Sequence, residues 1–458
     1  MKYAYLPIKL SLEQLVQEYP PTFNYHLDEF KYIIGTIVKL KSRYKDEWSD
    51  FVPLNAQILQ RRIRHYNLHL NYLLKHGILL CDNQYIVGEK SRGYALSPHL
   101  TDCDHELHQI RKWPLLRQNS ANLKGYEYLT KWYNKKLQID YKSALNELEI
   151  IRKNEIGNFD PKTRLYVGET KKGVSPNERY NLRRYPLELF QAGLFNLKVD
   201  DTVRRLHSTL SSLKSELRQF ITYDGNKLVS IDIKNSQPFI TTVMFDRRFY
   251  QNNSEIINLR SLSSSIFNSI LPSIPKLLSL LPTIPSIMLV KSHESEASND
   301  FEHYCTLVDK GRIYSYISDE YEKATGVRLD VTKEEEKKKL KQAVFTTLFS
   351  ANQFIGQRDA EMKRFFAELF PSVYGVFSLF KKRHKELLPI TLQLIESEVM
   401  LKKVARQISR ISSKIPIFTL HDSIITLEEN VEMVKSIVKG CFEQAIGLRP
   451  NMAIEKWG

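Results

Sequence analysis

The stretch IPIFTLHDSIITLEE, residues 415–429, constrains the fold most. Two apolar runs, Ile417 to Leu420 and Ile424 to Leu427, are too short for helices and flank His421-Asp422-Ser423. Short apolar runs rich in Ile, Phe and Thr around polar turn residues predict strand, tight turn and return strand. A hairpin this apolar needs further strands and a covering layer. KLVSIDIKNSQPFI supplies one such strand, Leu228 to Asp232, which also ends in an acid. Most other apolar positions recur every three or four residues, so the class is α+β.

Asp232 at a strand end and Asp422 at a hairpin tip both stand where a metal can reach, with the carbonyl of Ile233 facing the same place. Two aspartates so placed can hold two Mg²⁺ ions about 3.5–4 Å apart, activating a hydroxyl nucleophile and stabilising a leaving pyrophosphate. Either aspartate alone is equally a turn or cap residue.

A third segment, VTKEEEKKKLKQAVFTTLFSANQF, opens with Thr332 and Glu335 at capping-box spacing, predicting a helix from near Lys333. Lys337, Lys341, Phe345 and Phe349 then recur every fourth residue and wind slowly along one side. Two cations followed by two aromatic rings match a nucleoside triphosphate, with phosphates at one end and a flat base at the other. The same pattern also suits a solvated lysine face beside core phenylalanines.

Lys plus Arg number 67 against 52 Asp plus Glu, a net charge of +15, which favours polyanionic partners. The 458 residues suit two or more domains. Residues 54–98 predict helix (55–63), helix (64–76), and strands at 78–81 and 84–87 joined through Asp82-Asn83. That order is one of a winged helix-turn-helix, with Arg61, Arg62, Arg64, Lys75, Lys90 and Arg92 as candidate duplex contacts, a wet basic face or a protein-contact module being the other uses. The boundaries expected are a winged-helix-like region (1–99), a helical, thumb-like connector (100–200), and a body (201–458) carrying a Ser/Pro-rich insertion at 252–300. Cys103, His105 and His108 have only loosely ligand-like spacing, and no second pair completes a zinc set. Four scattered cysteines fit a reducing compartment. The apolar stretch 266–290 holds four prolines and reads as no membrane span. A soluble cytoplasmic protein, in a bacterial cell or a phage-infected host, is the expectation.

With these segments in order, the sequence resembles the superfamily of family A DNA polymerases and single-subunit RNA polymerases over about residues 200–458. SIDIKNSQP looks like motif A, LHDSI like motif C, and Lys341 with Phe345 and Phe349 like the motif B fingers helix. The run from Arg205 to Phe220, including Arg218, is similar to the family's thumb-to-palm connection. The resemblance implies a right-hand polymerase, with a palm built on an antiparallel sheet, helical fingers and a thumb, that extends a primer-template with nucleoside triphosphates. It makes Asp232, Ile233 and Asp422 holders of two Mg²⁺ (or Mn²⁺) ions and places Lys337 and Lys341 on the triphosphate. Phe345 and Phe349 then lie against sugar and base, and His421 and Arg205 beside the primer.

The chain departs from the pattern in places. Ser350 stands where the family has Gly, and Phe349 where Tyr is usual. Motif A carries two extra residues, only 81 residues separate Lys341 from Asp422, and no proofreading constellation precedes Arg205. Ser423 and the Asp232–Ser236 spacing resemble the RNA enzymes. Gln237, where a bulky side chain meets the sugar 2′ position, and Phe349, which lacks a hydroxyl, favour deoxynucleotides. The expectation is a small DNA polymerase of a phage or mobile element. The rivals are a single-subunit RNA polymerase or primase, and a non-catalytic DNA-binding replication initiator.

Overall fold

The computed structural model of this protein describes residues 3–43, 50–86, 91–116, 123–169, 172–251, 255–282 and 300–458. Helices and antiparallel sheets mix along the chain, and three apolar cores lie in sequence and space.

The N-terminal core is closed by β1 (Tyr3–Pro7), and its main helix is α1 (Leu27–Lys41). The His26 ring accepts the Asp28 N–H while Glu29 accepts the His26 N–H, which starts α1 sharply. Phe30, Ile33, Ile34 and Ile37 bury its apolar stripe. Next come β2 (Val52–Pro53), α2 (Ala56–Gln60), α3 (Tyr66–Lys75), β3 (Leu79–Cys81) and β4 (Gly93–Leu96), the strands pairing in the order β2-β4-β3. Both helices and the first strand thus fall close to their expected places.

Of the expected return strand at 84–87, Gln84 and Tyr85 lie outside any strand and Ile86 makes only an isolated bridge. Tyr85 and Ile86 are exposed, Val87 lies outside the described residues, and β3 pairs instead with β4, Leu79 opposite Leu96. Gly93, Tyr94, Ala95 and Leu96 are all buried, so pairing there covers more apolar surface. Asp82 closes the excursion by accepting the N–H groups of Gln84 (3.0 Å) and Gly93 (2.8 Å). A Cβ at Gly93 would stand 2.6 Å from Asp82 Oδ2 and 2.7 Å from Phe51 Cβ, so only glycine fits. Beyond residue 99, β5 (His105–Gln109) pairs with β1 along its whole length.

Two helices of the connector, α4 (Tyr141–Gly157) and α5 (Pro176–Gln191), pack together after the short strand β6 (Leu137–Ile139). Helix α5 serves two cores. Leu182, Tyr185 and Leu189 enter the N-terminal one, while Tyr180, Leu187 and Phe190 enter the middle one.

The main sheet is built on β7 (Ile221–Tyr223) and β8 (Asn226–Ile233), joined by Asp224-Gly225, both at positive φ (53° and 78°) as a tight hairpin turn requires. On its other side β8 pairs with β10 (Ser423–Leu427), beyond which lies β9 (Phe418–Leu420). The C-terminal strand β11 (Met452–Lys456) pairs with the later residues of β8. Every pairing is antiparallel. Val229, Ile231 and Ile233 point into the large C-terminal core and Leu228 into the middle one, so the pleat sends Ser230 and Asp232 to the Leu228 side.

The large core is mostly helical. It holds α6 (Ser236–Thr241), α7 (Glu334–Phe349), α8 (Leu387–Ser397) with its π-helical continuation (Glu398–Ala405) into α9 (Arg406–Ile411), and α10 (Val431–Ile446). The expected loose insertion departs from its described part: Leu259, Leu262, Ile266, Ile270 and Leu277 are core residues on short helices. Pro272 and Pro275 sit in first turns, where the missing N–H costs nothing. Residues 252–254 and 283–299 of that segment lie outside the described ones. Among the described residues no helix is long and apolar enough to cross a membrane.

Candidate active site

The local hairpin and the long-range sheet register together place the two aspartates. The turn between β9 and β10 has only two residues, since Leu420 pairs with Ser423, so Ser423 belongs to the strand. His421 takes φ 55°, an uncommon conformation for a residue with a Cβ, and Asp422 follows at the tip. In the sheet, Asp232 stands opposite Ser423, and the Ile233 N–H reaches the Asp422 carbonyl (3.4 Å). Two acids 190 positions apart therefore share one sheet end.

Asp232 Oδ1 accepts hydroxyl hydrogens from Ser230 (3.1 Å) and Ser423, fixing the carboxylate's direction. Burial raises the Asp422 carboxyl above the ordinary aspartate range; the Asp232 charge adds to this and Arg205 opposes it. Among the described residues no group of three or more His, Cys, Asp and Glu is placed to hold a metal. The donor set is nonetheless of a kind that suits Mg²⁺, which takes one or two carboxylates and completes its shell with water and substrate phosphates.

Behind the aspartates lies a residue that sequence reasoning missed. Glu396, at the end of α8 and 1% exposed, forms a fork with Arg205: Nε to Oε1 is 3.0 Å and Nη2 to Oε2 is 2.9 Å. The same Oε2 accepts from Gln237 Nε2 (2.9 Å). Burial pushes the Glu396 carboxyl up to about 7, against the pull of Arg205. Gln237 is thus held by its amide nitrogen, while its Oε1 is buried with no hydrogen-bond partner. The one available signal was the pair of acids, Glu396 and Glu398, inside LLPITLQLIESEVM, a mostly apolar helix where a buried charge must be paired. The helix turns π-helical at Glu398, directly beyond Glu396-Ser397; such segments recur at functional sites.

Arg218 is half-buried, its guanidinium 6.0 Å from the centroid of the Trp457 ring. No family model matches the chain, and no curated protein matches it. Of the solved structures similar to it, one serves as the example. This is the POL domain of Pol1 from M. smegmatis in complex with DNA primer-template and dNTP, at 11% identity and a TM-score of 0.40, covering 75% of this chain and 71% of that one. The reading of the site rests on its own geometry.

The stripe on α7 faces outward. Phe345 and Phe349 are exposed and stacked, ring centroids 5.8 Å apart at 26°, while Leu340, Ala343, Val344 and Leu348 hold the inner face. Lys337 lies 3.4 Å from Glu334, and Lys341 has no ion pair or hydrogen bond among the described residues. The expected capping box is absent. Lys333 is the N-cap without a side-chain bond; Asp330 binds Thr332, and Glu336 reaches back to the Asp330 N–H (2.6 Å). Beyond Phe349, two buried lysines hold the helix end. Lys363 Nζ donates to Ser350 Oγ (3.0 Å) and the Ala351 carbonyl (2.6 Å), and Lys381 Nζ to the Ser350 carbonyl (3.0 Å). Ser350, in place of glycine, is the residue both lysines reach. Helix α7 packs on α8, the helix that carries Glu396, so one element supports both stripe and carboxylates.

Of the N-terminal cations, Arg61, Arg64, Lys75 and Arg92 are exposed, with Leu68 and Asn71 on the same side of α3 as Lys75. Arg62 is turned inward to the Pro114 carbonyl (3.1 Å), and Lys90 lies outside the described residues.

Proposed function

We propose that this chain is a template-directed nucleotidyltransferase, a compact right-hand DNA polymerase of phage or mobile-element type with a winged-helix-like DNA-binding region before it. The observation that carries the reading is the meeting of Asp232 and Asp422 at one sheet end, with the direction of the Asp232 carboxylate set by Ser230 and Ser423. Asp232, Asp422 and the Ile233 carbonyl would hold Mg²⁺, with Mn²⁺ as a substitute. Two such ions, when bound, activate the primer 3′-hydroxyl and stabilise the departing pyrophosphate.

The other residues position the reactants. Lys341 and Lys337 neutralise the triphosphate, and the stacked Phe345 and Phe349 give base and sugar a flat apolar surface. His421 and Arg205 steady the primer side, Arg205 held rigid by Glu396. Gln237, fixed by the same carboxylate, stands beside the 2′ position and disfavours a ribose.

The test is extension of one primed template with dNTPs and, separately, NTPs. The expected result is faster use of dNTPs, with Gln237→Gly raising NTP use by on the order of 10²-fold, the usual consequence of a misplacement of about 1 Å at a reacting centre. A wild-type chain that prefers NTPs would replace the DNA reading with the RNA polymerase or primase reading and leave the metal and triphosphate roles in place.

Duplex binding by the N-terminal region has its own test. In the full chain, Arg61→Gln with Arg64→Gln is expected to weaken duplex binding and to reduce its salt dependence by about one to two counterions, since each phosphate contact contributes a log–log slope of about 0.9. Unchanged affinity and slope would make α2 and α3 a protein-contact surface.

A further inference from the structure

A cleft of about 380 Å³ runs between the end of α1 and the main sheet's active end. Its walls include Lys39 and Arg43 of the N-terminal region, Lys198 from the connector, and His421 from the turn that carries Asp422. Lys39 and Arg43 are one helical turn apart, so both reach the same space. Among the described residues none of Lys39, Arg43 and Lys198 has a carboxylate partner.

The fold treats a neighbouring cation differently. Lys41, on the same helix, is paired with Glu178 and donates to the Asp50 carbonyl (3.3 Å). Among the described residues the one acid on the cleft wall, Asp200, is already engaged by the N–H groups of Thr202 (3.0 Å), Val203 (2.7 Å) and Arg205 (2.9 Å), and by His207 (3.2 Å). Burial, with the like charges of Arg43 and Lys198, lowers the Lys39 ammonium to about 8. Cations converging without a carboxylate partner, in a pocket of ligand size where they outnumber the acid, suit a phosphate-bearing ligand.

We infer that this cleft is a nucleotide-phosphate site shared by the N-terminal region and the sheet, and that it holds the last phosphodiesters of the strand whose 3′ end lies at Asp232 and Asp422. The assignment to that strand rests on the proposed polymerase activity; its physical basis is His421, which lines the cleft and adjoins Asp422. The N-terminal region then acts at the reacting end of the substrate as well as on distant duplex.

The test uses the full chain and a primer-template ending in a dideoxynucleotide. Binding is measured from about 50 to 200 mM salt for wild type, Lys39→Gln/Arg43→Gln, and Lys198→Gln. The double variant is expected to bind on the order of ten-fold more weakly, with a salt slope shallower by about two, as loss of two phosphate contacts requires. A primer whose last linkages are uncharged methylphosphonates should weaken wild type by the same factor and the double variant no further. Arg43→Gln alone, at an exposed position, checks that the loss is not unfolding, and its thermal midpoint should match wild type. Wild-type affinity and slope in the double variant would overturn the site. A defect confined to the KM of the first nucleotide in unprimed reactions would overturn the strand assignment in favour of a free triphosphate. A wild-type chain that shows the expected slopes and methylphosphonate effect but adds no nucleotide would sink the polymerase reading and leave the phosphate site standing.

Discussion

Asp232→Ala and Asp422→Ala should each lower nucleotide incorporation by at least about 10³-fold, because metal stabilisation of a phosphoryl transition state is worth several kcal/mol and each 1.36 kcal/mol is a factor of ten. Affinity for primer-template should change little, since the carboxylates serve the chemistry and the docking rests on cations and strands elsewhere. Asp422→Asn is a sharper variant. In the fold, burial and the Asp232 charge disfavour the ionised Asp422 carboxylate, so its folded pKa lies above the unfolded value. Such a group contributes a cost that appears as pH rises through these pKa values and is fully present at neutral pH. Removing the charge should therefore abolish incorporation while leaving the thermal midpoint equal to wild type or higher. Wild-type incorporation by either variant would exclude the aspartate pair as the reacting centre, and a large fall in the midpoint would make Asp422 structural.

Glu396→Ala should be the most damaging single change to stability among the site residues. It leaves the Arg205 guanidinium and the Gln237 amide facing an empty, buried position. Removing one partner of a buried ion pair costs about 3–5 kcal/mol. The Arg205 side chain keeps 19% exposure, which places the expectation toward the lower end of that range. Glu396→Gln keeps the shape and one acceptor, so it should lose less, about 1–2 kcal/mol, as for a weakened charged hydrogen bond. The functional signature should differ from that of the aspartates. With Gln237 released, discrimination against ribonucleotides should fall even in the Gln variant, which remains folded. Denaturant unfolding of the three proteins, with dNTP and NTP rates on one template, separates the effects. Midpoints equal to wild type in both the Ala and Gln variants would show that the fork carries no net stability.

Several site features were legible because they are local. The β9–β10 hairpin needs only apolar runs around a polar turn, and β8 needs only a short apolar run ending at an acid; both formed as read, apart from Ser423 joining its strand. The stripe on α7 follows from a four-residue spacing and a helix period, and its solvent face follows from the residues between. The capping box failed although its spacing was right. The Thr332 N–H and hydroxyl both donate to the Asp330 carboxylate, and Glu336 rather than Glu335 accepts a backbone N–H, that of Asp330. Of the expected return strand only Ile86 bridges among the described residues; β3 takes Gly93–Leu96 as its partner, whose residues are all buried, and Asp82 closes the loop between them.

What the sequence by itself determined is the inventory of elements and the chemistry at their ends: an acid after a strand, an acid in a turn, cations and rings on one helix face. These follow from interactions within a few residues, which period and turn chemistry express directly. What only the tertiary structure decided is which ends meet. Arg205 and Glu396 are 191 positions apart, and Gln237 and Glu396 are 159 apart. An acid in an apolar run marks Glu396 as needing a partner but not which one; the partners are supplied by the tertiary fold, Gln237 through the packing of α8 against α6. Lys39, Arg43 and His421 likewise share a cleft only because α5 buries one face in each of two cores and joins the N-terminal region to the sheet. Burial of apolar surface fixes those relative positions, and it is indifferent to the order in which the buried residues occur along the chain.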